Sequence, residues 1–102
     1  MRDMQYGLVL SQPADSDLEA IFEYTQRAHG HTQALEYLDS FQTAFDALKA
    51  NHYLGRKRSE IRSELRSLIH REHVIFYHIQ PRGVRVVRVL HGRMDMFGHQ
   101  LI

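Results

Sequence analysis

The sequence predicts one α+β domain over residues 1–102, in which a helical hairpin packs on one face of a twisted antiparallel sheet in the order β-α-α-β-β-β. Three observations predict it. A chain of 102 residues with 43% hydrophobic residues is the size of one compact domain. Its first half holds two successive stretches with apolar residues at helical spacing. Its second half holds three strand-like stretches rich in β-branched and aromatic residues.

The first element is a short strand, because residues 4–10 alternate and place four apolar side chains on one face: Met4, Tyr6, Leu8 and Leu10. We expect this strand at a sheet edge. Ser11 is positioned to cap a helix, and Pro13 falls in the first turn, where its missing N–H costs nothing.

The two helices follow directly. The first is predicted over residues 12–29, with an apolar stripe of Leu18, Ile21, Phe22, Thr25 and Ala28. Gly30 is predicted to end it in a left-handed conformation, and Thr32 to cap the second helix, which Asn51 ends. The second helix is predicted to bury Ala34, Leu38, Phe41, Phe45 and Leu48. The short link predicts an antiparallel hairpin.

The three C-terminal strands form a predicted meander. Residues 64–70 and 72–79 are separated by Arg71 alone, which predicts a tight hairpin. The stretch 80–83 has Pro and Gly at turn positions, and residues 84–91 form the last strand. The segment between Asn51 and the first of these strands is irregular and basic.

Composition narrows the function classes. The chain has no cysteine, so disulfides, thiolate nucleophiles and cysteine metal sites are excluded. The N-terminus lacks a long apolar region, and no stretch approaches the roughly 20 apolar residues of a membrane span. We therefore expect a cytoplasmic protein that does not enter the membrane.

Charge is divided along the chain. Residues 1–50 carry 3 Lys and Arg against 8 Asp and Glu, a net charge of −5, and residues 51–102 carry 10 against 4, a net charge of +6. This division indicates an acidic and a basic face, which either attract each other within the fold or present a functional basic surface.

Catalytic and metal sites are poorly supported. The closest histidine pairs, His29 with His31 and His70 with His73, have no well-placed third ligand, so no metal is predicted. A serine nucleophile elbow and a carboxylate pair are absent from the sequence. We expect no catalytic residue and no cofactor.

Cationic residues, mostly arginines, are the most distinctive polar feature. They occupy the loop after the second helix, the strands and the end of the last strand: Arg56, Lys57, Arg58, Arg62, Arg66, Arg88 and Arg93. Clustered arginines bind phosphate or acidic protein surface, although any one of them can equally be solvated or paired within the fold. Arg88 interrupts a β-branched strand and so needs a partner or open water.

The helices also carry more aromatic residues than one sheet face can cover: Phe22, Tyr24, Tyr37, Phe41 and Phe45. Ordinary core packing explains them, and so does an apolar groove for an amphipathic segment of a partner.

Four segments resemble, in order, the ParE branch of the RelE/ParE toxin family. They are LSQPADSDLEAIFEY, QALEYLDSFQTAFDALKAN, LGRKRSEIRSELRSLIHREHVIFYHI and VRVVRVLHGRMD. The resemblance implies a helical hairpin against a twisted antiparallel sheet. It also implies the toxin of a type II toxin–antitoxin pair, held inactive by a cognate antitoxin whose flexible segment folds on the toxin's helices and sheet edge.

The resemblance implies a mechanism too. ParE-like toxins inhibit DNA gyrase by binding it, and growth arrest follows without a reaction of their own. No direct nucleic-acid readout is expected, and assembly as a homo- or hetero-oligomer stays open. The alternative is a RelE-like, ribosome-dependent mRNA endoribonuclease built from Arg56, Lys57, Arg66, Arg88 and His91. A third alternative is an inactive relative that only binds an antitoxin.

Two candidate surfaces follow. The predicted target-binding residues are Arg58, Arg62, Arg88, His91, Arg93, Met94 and Asp95. The predicted antitoxin-binding residues are Ile21, Tyr24, Leu38, Phe41 and Phe45. Gly92 separates His91 from Arg93, and this closing motif matches the ParE pattern without a tyrosine.

Overall fold

The computed structural model describes residues 7–93. Its elements are β1 (Gly7–Leu10), α1 (Gln12–His29), α2 (His31–Ala50), β2 (Arg56–Lys57), β3 (Arg66–His70), β4 (His73–Gln80) and β5 (Gly83–His91). The strands form one five-stranded sheet in the order β1-β5-β4-β3-β2. The predicted α+β fold with a helical hairpin on the sheet is confirmed.

Both helices begin and end close to the predicted residues. The Ser11 side chain accepts a hydrogen bond from the Ala14 backbone N–H, as expected of an N-cap. Asn51 follows the end of α2. The prediction for Thr32 is wrong, because α2 starts one residue earlier and Gly30 occupies its N-cap position without a side-chain bond.

Gly30 also differs from its predicted conformation. Its φ is positive at 94°, but its ψ of 166° lies far from the left-handed helical region. The reason is that one residue serves as the end of α1 and the start of α2, so the chain must turn sharply between them. Ala28, in the last turn of α1, is exposed and does not belong to the buried stripe.

The strand β1 lies at a sheet edge, as predicted, and pairs in parallel with β5. Leu8 and Leu10 pack against the core beneath the helices, whereas Met4 and Tyr6 lie outside the described residues. Gly83 faces Gly7 in this pairing. A Cβ on Gly83 would stand 2.3 Å from the Gly7 carbonyl oxygen, so only glycine allows the two backbones to approach this closely.

The basic segment after α2 contains a strand that the sequence did not predict. Arg56 and Lys57 pair with Ser67 and Arg66 of β3 and form the other edge of the sheet. Two residues carry too little periodicity to be recognised as a strand. The buried Tyr77 holds this segment, since its hydroxyl accepts from the Gly55 N–H and donates to the His52 carbonyl.

The sheet separates two apolar clusters. The larger lies under the helices and combines α1, α2 and sheet residues, with Phe41, Leu48, Ile75 and Tyr77 almost fully buried. The smaller lies apart from it and consists of Leu65, Val74, Phe76, Val87 and Leu90, with Ile61 packed against it. A bulge in β5 beside the Phe76–Tyr77 step shifts the register there.

Candidate functional site

A groove runs between α1 and α2, with a volume of about 960 Å³. Its apolar lining comes from both helices and β1: Leu8, Leu10, Leu18, Phe22, Leu35, Leu38, Phe41 and Phe45. Its charged lining is mostly acidic: Asp15, Glu19, Glu23 and Asp39, with Lys49. The groove therefore presents apolar surface to a partner within a mainly negative border.

The predicted antitoxin-binding residues fall in different places. Leu38, Phe41 and Phe45 line this groove, and Phe41 and Phe45 are core residues whose side chains form its buried base. Ile21 packs, half-buried, against the same core. Tyr24 is 64% exposed and lines a different pocket, described below.

The predicted target-binding residues do not form one cluster in the structure. Arg62 is exposed, whereas Arg58 is largely covered, bonds Glu60 at 2.6 Å and lies over the Phe76 ring. His91 and Arg93 line a pocket on the helical side of the sheet. Met94 and Asp95 lie outside the described residues.

Arg88 is engaged within the fold. Its Nε and one Nη donate to the two oxygens of Asp17 at 2.8 and 2.9 Å, and the Val89 backbone N–H also donates to Asp17. The Arg88 pKa is raised, chiefly by the hydrogen bonds to Asp17. This ion pair joins α1 to β5 and neutralises the charge of Arg88. Asp17 is therefore the partner that an arginine at this strand position required.

The residues of a RelE-like ribonuclease site are also dispersed. Arg66 and His91 lie at different positions along the strands, because Arg66 pairs with Tyr77 while His73 pairs with His91. Tyr77 and His73 are four residues apart on β4, which corresponds to about 13 Å along the strand. With Arg88 paired to Asp17, the predicted cluster does not assemble.

Three histidines instead stand side by side across the sheet. His70 of β3 pairs with His73 of β4, and His73 pairs with His91 of β5. The rings of His73 and His91 are 5.3 Å apart, edge to face. We call His70, His73 and His91 the histidine row.

The helix α2 covers one side of this row. The Tyr37 hydroxyl lies 2.7 Å from His73 Nδ1, and the Ser40 hydroxyl lies 2.8 Å from His70 Nε2. The Phe41 ring is 4.6 Å from the His70 ring. Burial lowers the pKa of His70 and of His73, and the neighbouring Arg71 and His91 lower them further. Both rings are therefore neutral at pH 7.

A pocket of about 660 Å³ opens beside His73 and His91. Its walls come from α1, α2, the β3–β4 turn and the end of β5: Tyr24, Thr25, His29, Gln33, Tyr37, Arg71, Glu72, His73, His91, Gly92 and Arg93. We call it the histidine pocket. Across residues 7–93, no three histidine or carboxylate side chains are arranged to hold a metal ion.

Several of these residues escaped the sequence analysis. The groove carboxylates Asp15, Glu19 and Glu23 recur every four residues, a spacing that places them on one helical face and could have marked the border. Arg71 and Glu72 carried no comparable signal, and Tyr37 stood out only as a surplus aromatic, because their approach to His91 depends on the strand register.

Comparison with known proteins decides the family. A sequence profile described as "ParE toxin of type II toxin-antitoxin system, parDE" matches residues 8–96. The chain belongs to the ParE toxin family. Toxin ParE1 of Mycobacterium tuberculosis is 42% identical over 94 residues, which cover 91% of this chain and 96% of that protein. Toxin ParE1 of Caulobacter vibrioides is 30% identical over 90 residues, covering 88% and 93%.

A solved structure described as a chromosomal ParDE toxin–antitoxin system from P. aeruginosa has the same fold. The TM-score is 0.74 at 18% sequence identity, over 84% of this chain and 95% of that one. The chain is thus a ParE toxin of a type II toxin–antitoxin system, as the resemblance implied. Within residues 7–93, neither helix has the length and apolar character needed to cross a bilayer.

Proposed function

We propose that this ParE toxin arrests growth by binding DNA gyrase in the cytoplasm, with no covalent chemistry of its own, and that a cognate antitoxin neutralises it from the groove between α1 and α2. Membership of the ParE family carries the proposal, and the site geometry supports its two parts separately.

The groove supports the antitoxin part. Leu35 is 44% exposed at its wall, and Leu8, Leu10, Phe22 and Leu38 in the same lining are only partly buried. A flexible antitoxin segment that folds into this groove buries that surface, which offsets the cost of ordering the segment.

Hydrogen bonding around His91 supports the absence of catalysis. The Arg93 backbone N–H donates to His91 Nδ1, so the neutral ring carries its proton on Nε2 and offers no lone pair to a ribose hydroxyl. The arginines are unsuited to the role of general base, because their pKa exceeds 12. We propose two sets of gyrase-binding residues: the exposed Arg62, and separately the exposed Arg93 with His91 and the next residues in the sequence, Met94 and Asp95.

A supercoiling assay tests the mechanism. Purified toxin should inhibit gyrase, and the double variant Arg62→Glu with Arg93→Glu should lose most of that inhibition. The matched control is Arg27→Glu, which changes an exposed arginine on α1 that does not line the pocket of His91 and Arg93. If the toxin leaves gyrase untouched and instead cuts translated mRNA, the proposed mechanism is wrong and the ribonuclease alternative holds.

A growth assay tests the groove. Leu35→Asp should keep toxicity but lose neutralisation by the co-expressed antitoxin, because the carboxylate would be desolvated in the complex. Ile69→Asp is the control, since Ile69 is 74% exposed on β3, outside the groove. Equal neutralisation of both variants would place the antitoxin elsewhere.

A further inference from the structure

The histidine pocket is unusual in its balance of donors and acceptors. Two arginines, three histidines and a tyrosine of its lining can donate hydrogen bonds: Arg71, Arg93, His29, His73, His91 and Tyr24. The one carboxylate in its lining is Glu72, whose side chain is 80% exposed. Guanidinium groups only donate hydrogen bonds, and a neutral imidazole donates from whichever nitrogen carries its proton.

The hydrogen bonds of the row decide where those protons are. At His91 the Arg93 N–H occupies Nδ1, so Nε2 carries the proton. At His73 the partner is the Tyr37 hydroxyl. Burial raises the pKa of that hydroxyl, so it keeps its proton, while the Glu72 backbone bonds its oxygen and acts in the opposite direction on the pKa. We therefore assign the phenol as donor to His73 Nδ1, which leaves the proton of His73 on Nε2.

The contact between α2 and His70 fixes the proton of that histidine as well. The Ser40 hydroxyl donates its single proton to the Tyr37 carbonyl at 2.5 Å. It can only accept from His70, whose Nε2 therefore carries a proton. Each histidine of the row thus carries an Nε2–H donor.

A carboxylate of the chain already lies toward these donors. Glu72 Oε1 is 3.8 Å from His91 Nε2, longer than a hydrogen bond. Because the Glu72 side chain is mostly in solvent, it can move aside at little cost.

We propose that the histidine pocket is an oxyanion site that receives a carboxylate, the side chain of an Asp or Glu on a protein partner, in place of Glu72. The guanidinium groups of Arg71 and Arg93 attract the carboxylate electrostatically. The Nε2–H groups of His73 and His91 donate hydrogen bonds that orient it. The pocket lies outside the groove assigned to the antitoxin, and the proposal does not depend on the partner being gyrase.

The surrounding charge favours a single carboxylate over a nucleic acid. A phosphate backbone is bound by cations that follow it over many ångströms. Here α1 and α2 wall the pocket, and residues 1–50, which contain both helices, have a net charge of −5. A polyanion leaving the pocket along the helices would be repelled, whereas one acidic side chain reaches the donors without that cost.

Nuclear magnetic resonance of the histidine side chains tests this site on the full chain. A blocked tri-glutamate peptide should shift the His73 and His91 resonances and raise the pKa of His73, because a bound carboxylate stabilises the imidazolium. Arg93→Gln should weaken binding about tenfold through the loss of a charged hydrogen bond. Arg85→Gln, an exposed change elsewhere on β5, should leave it unchanged.

The Nε2 donor has its own test. His91→Gln keeps an N–H at that position and should retain binding, whereas His91→Leu should lose it. Should either substitution unfold the chain, the exposed Arg93→Gln still decides the matter. Absence of peptide-induced shifts, or equal shifts in Arg93→Gln, overturns the proposal. Tighter binding of inorganic phosphate or of a short DNA strand than of tri-glutamate overturns the assignment to a protein carboxylate. Gyrase inhibition is measured separately, so either idea can fail without the other.

Discussion

The groove and the histidine pocket are built on the same two helices but with opposite chemistry. The groove uses Leu18 and Phe22 of α1, and the pocket uses Thr25 and His29 further along the same helix. The groove offers apolar area within an acidic border, which favours affinity through burial. The pocket offers directed donors, which favour selectivity for one chemical group. Two helices in a chain of 102 residues can thus form two surfaces of different chemical character.

Phe41 lies between the groove and the histidine row, and its loss should have the largest effect. It lines the groove, contacts the His70 ring and is 1% exposed. Phe41→Ala should lower the free energy of unfolding by about 3–5 kcal/mol, because it leaves a cavity between them. Urea denaturation measures this. Ile69→Ala, at a 74% exposed site, should change stability by less than about 0.5 kcal/mol. Similar losses in both variants would contradict the core position of Phe41.

Asp17 holds α1, which walls both regions, against β5. Asp17→Ala removes three hydrogen bonds and leaves the Arg88 guanidinium partly buried without its partner. We expect a loss of about 2–3 kcal/mol in unfolding free energy. Asp46→Ala breaks an exposed pair with Lys49 and should have no measurable effect. A fully stable Asp17→Ala protein would mean that the pair does not position α1.

Ser11 fixes the start of α1 beside the groove and should matter less. Its hydroxyl accepts from the Ala14 N–H and donates to the Val87 carbonyl. Ser11→Ala should cost about 1 kcal/mol, measured by thermal or urea unfolding. Ser11→Thr keeps a hydroxyl and should recover part of that loss; if it recovers none, the effect is one of packing rather than capping.

Acidification should lower stability through the histidine row, and we expect this to be the smallest of the effects. The pKa values of His70 and His73 are lowered in the folded state, so the unfolded chain binds protons first. Stability is therefore full above the ordinary histidine pKa of about 6.5 and falls as the pH drops below it. Unfolding measured between about pH 5 and 7 checks this. His73→Gln should flatten the slope, and an unchanged slope would contradict the assignment.

Local patterns predicted most of the fold. The apolar spacing of α1 and α2, the Ser11 cap and the β-branched run of β5 are properties of neighbouring residues, so the chain order reveals them. The failures were local as well: β2 is too short to show a period, and Gly30 had to serve two helices. The parallel pairing of β1 with β5 needed knowledge of strands far apart in the chain.

The sites divide in the same way. The sequence by itself determined the family, the helical hairpin, the aromatic surplus of the helices and the division of charge, because each is written in residue type and spacing. Only the tertiary structure decided that Asp17 neutralises Arg88 and that His70, His73 and His91 stand in one row. Strand register and helix placement bring those groups together across up to 71 residues, a separation over which spacing in the chain carries no information.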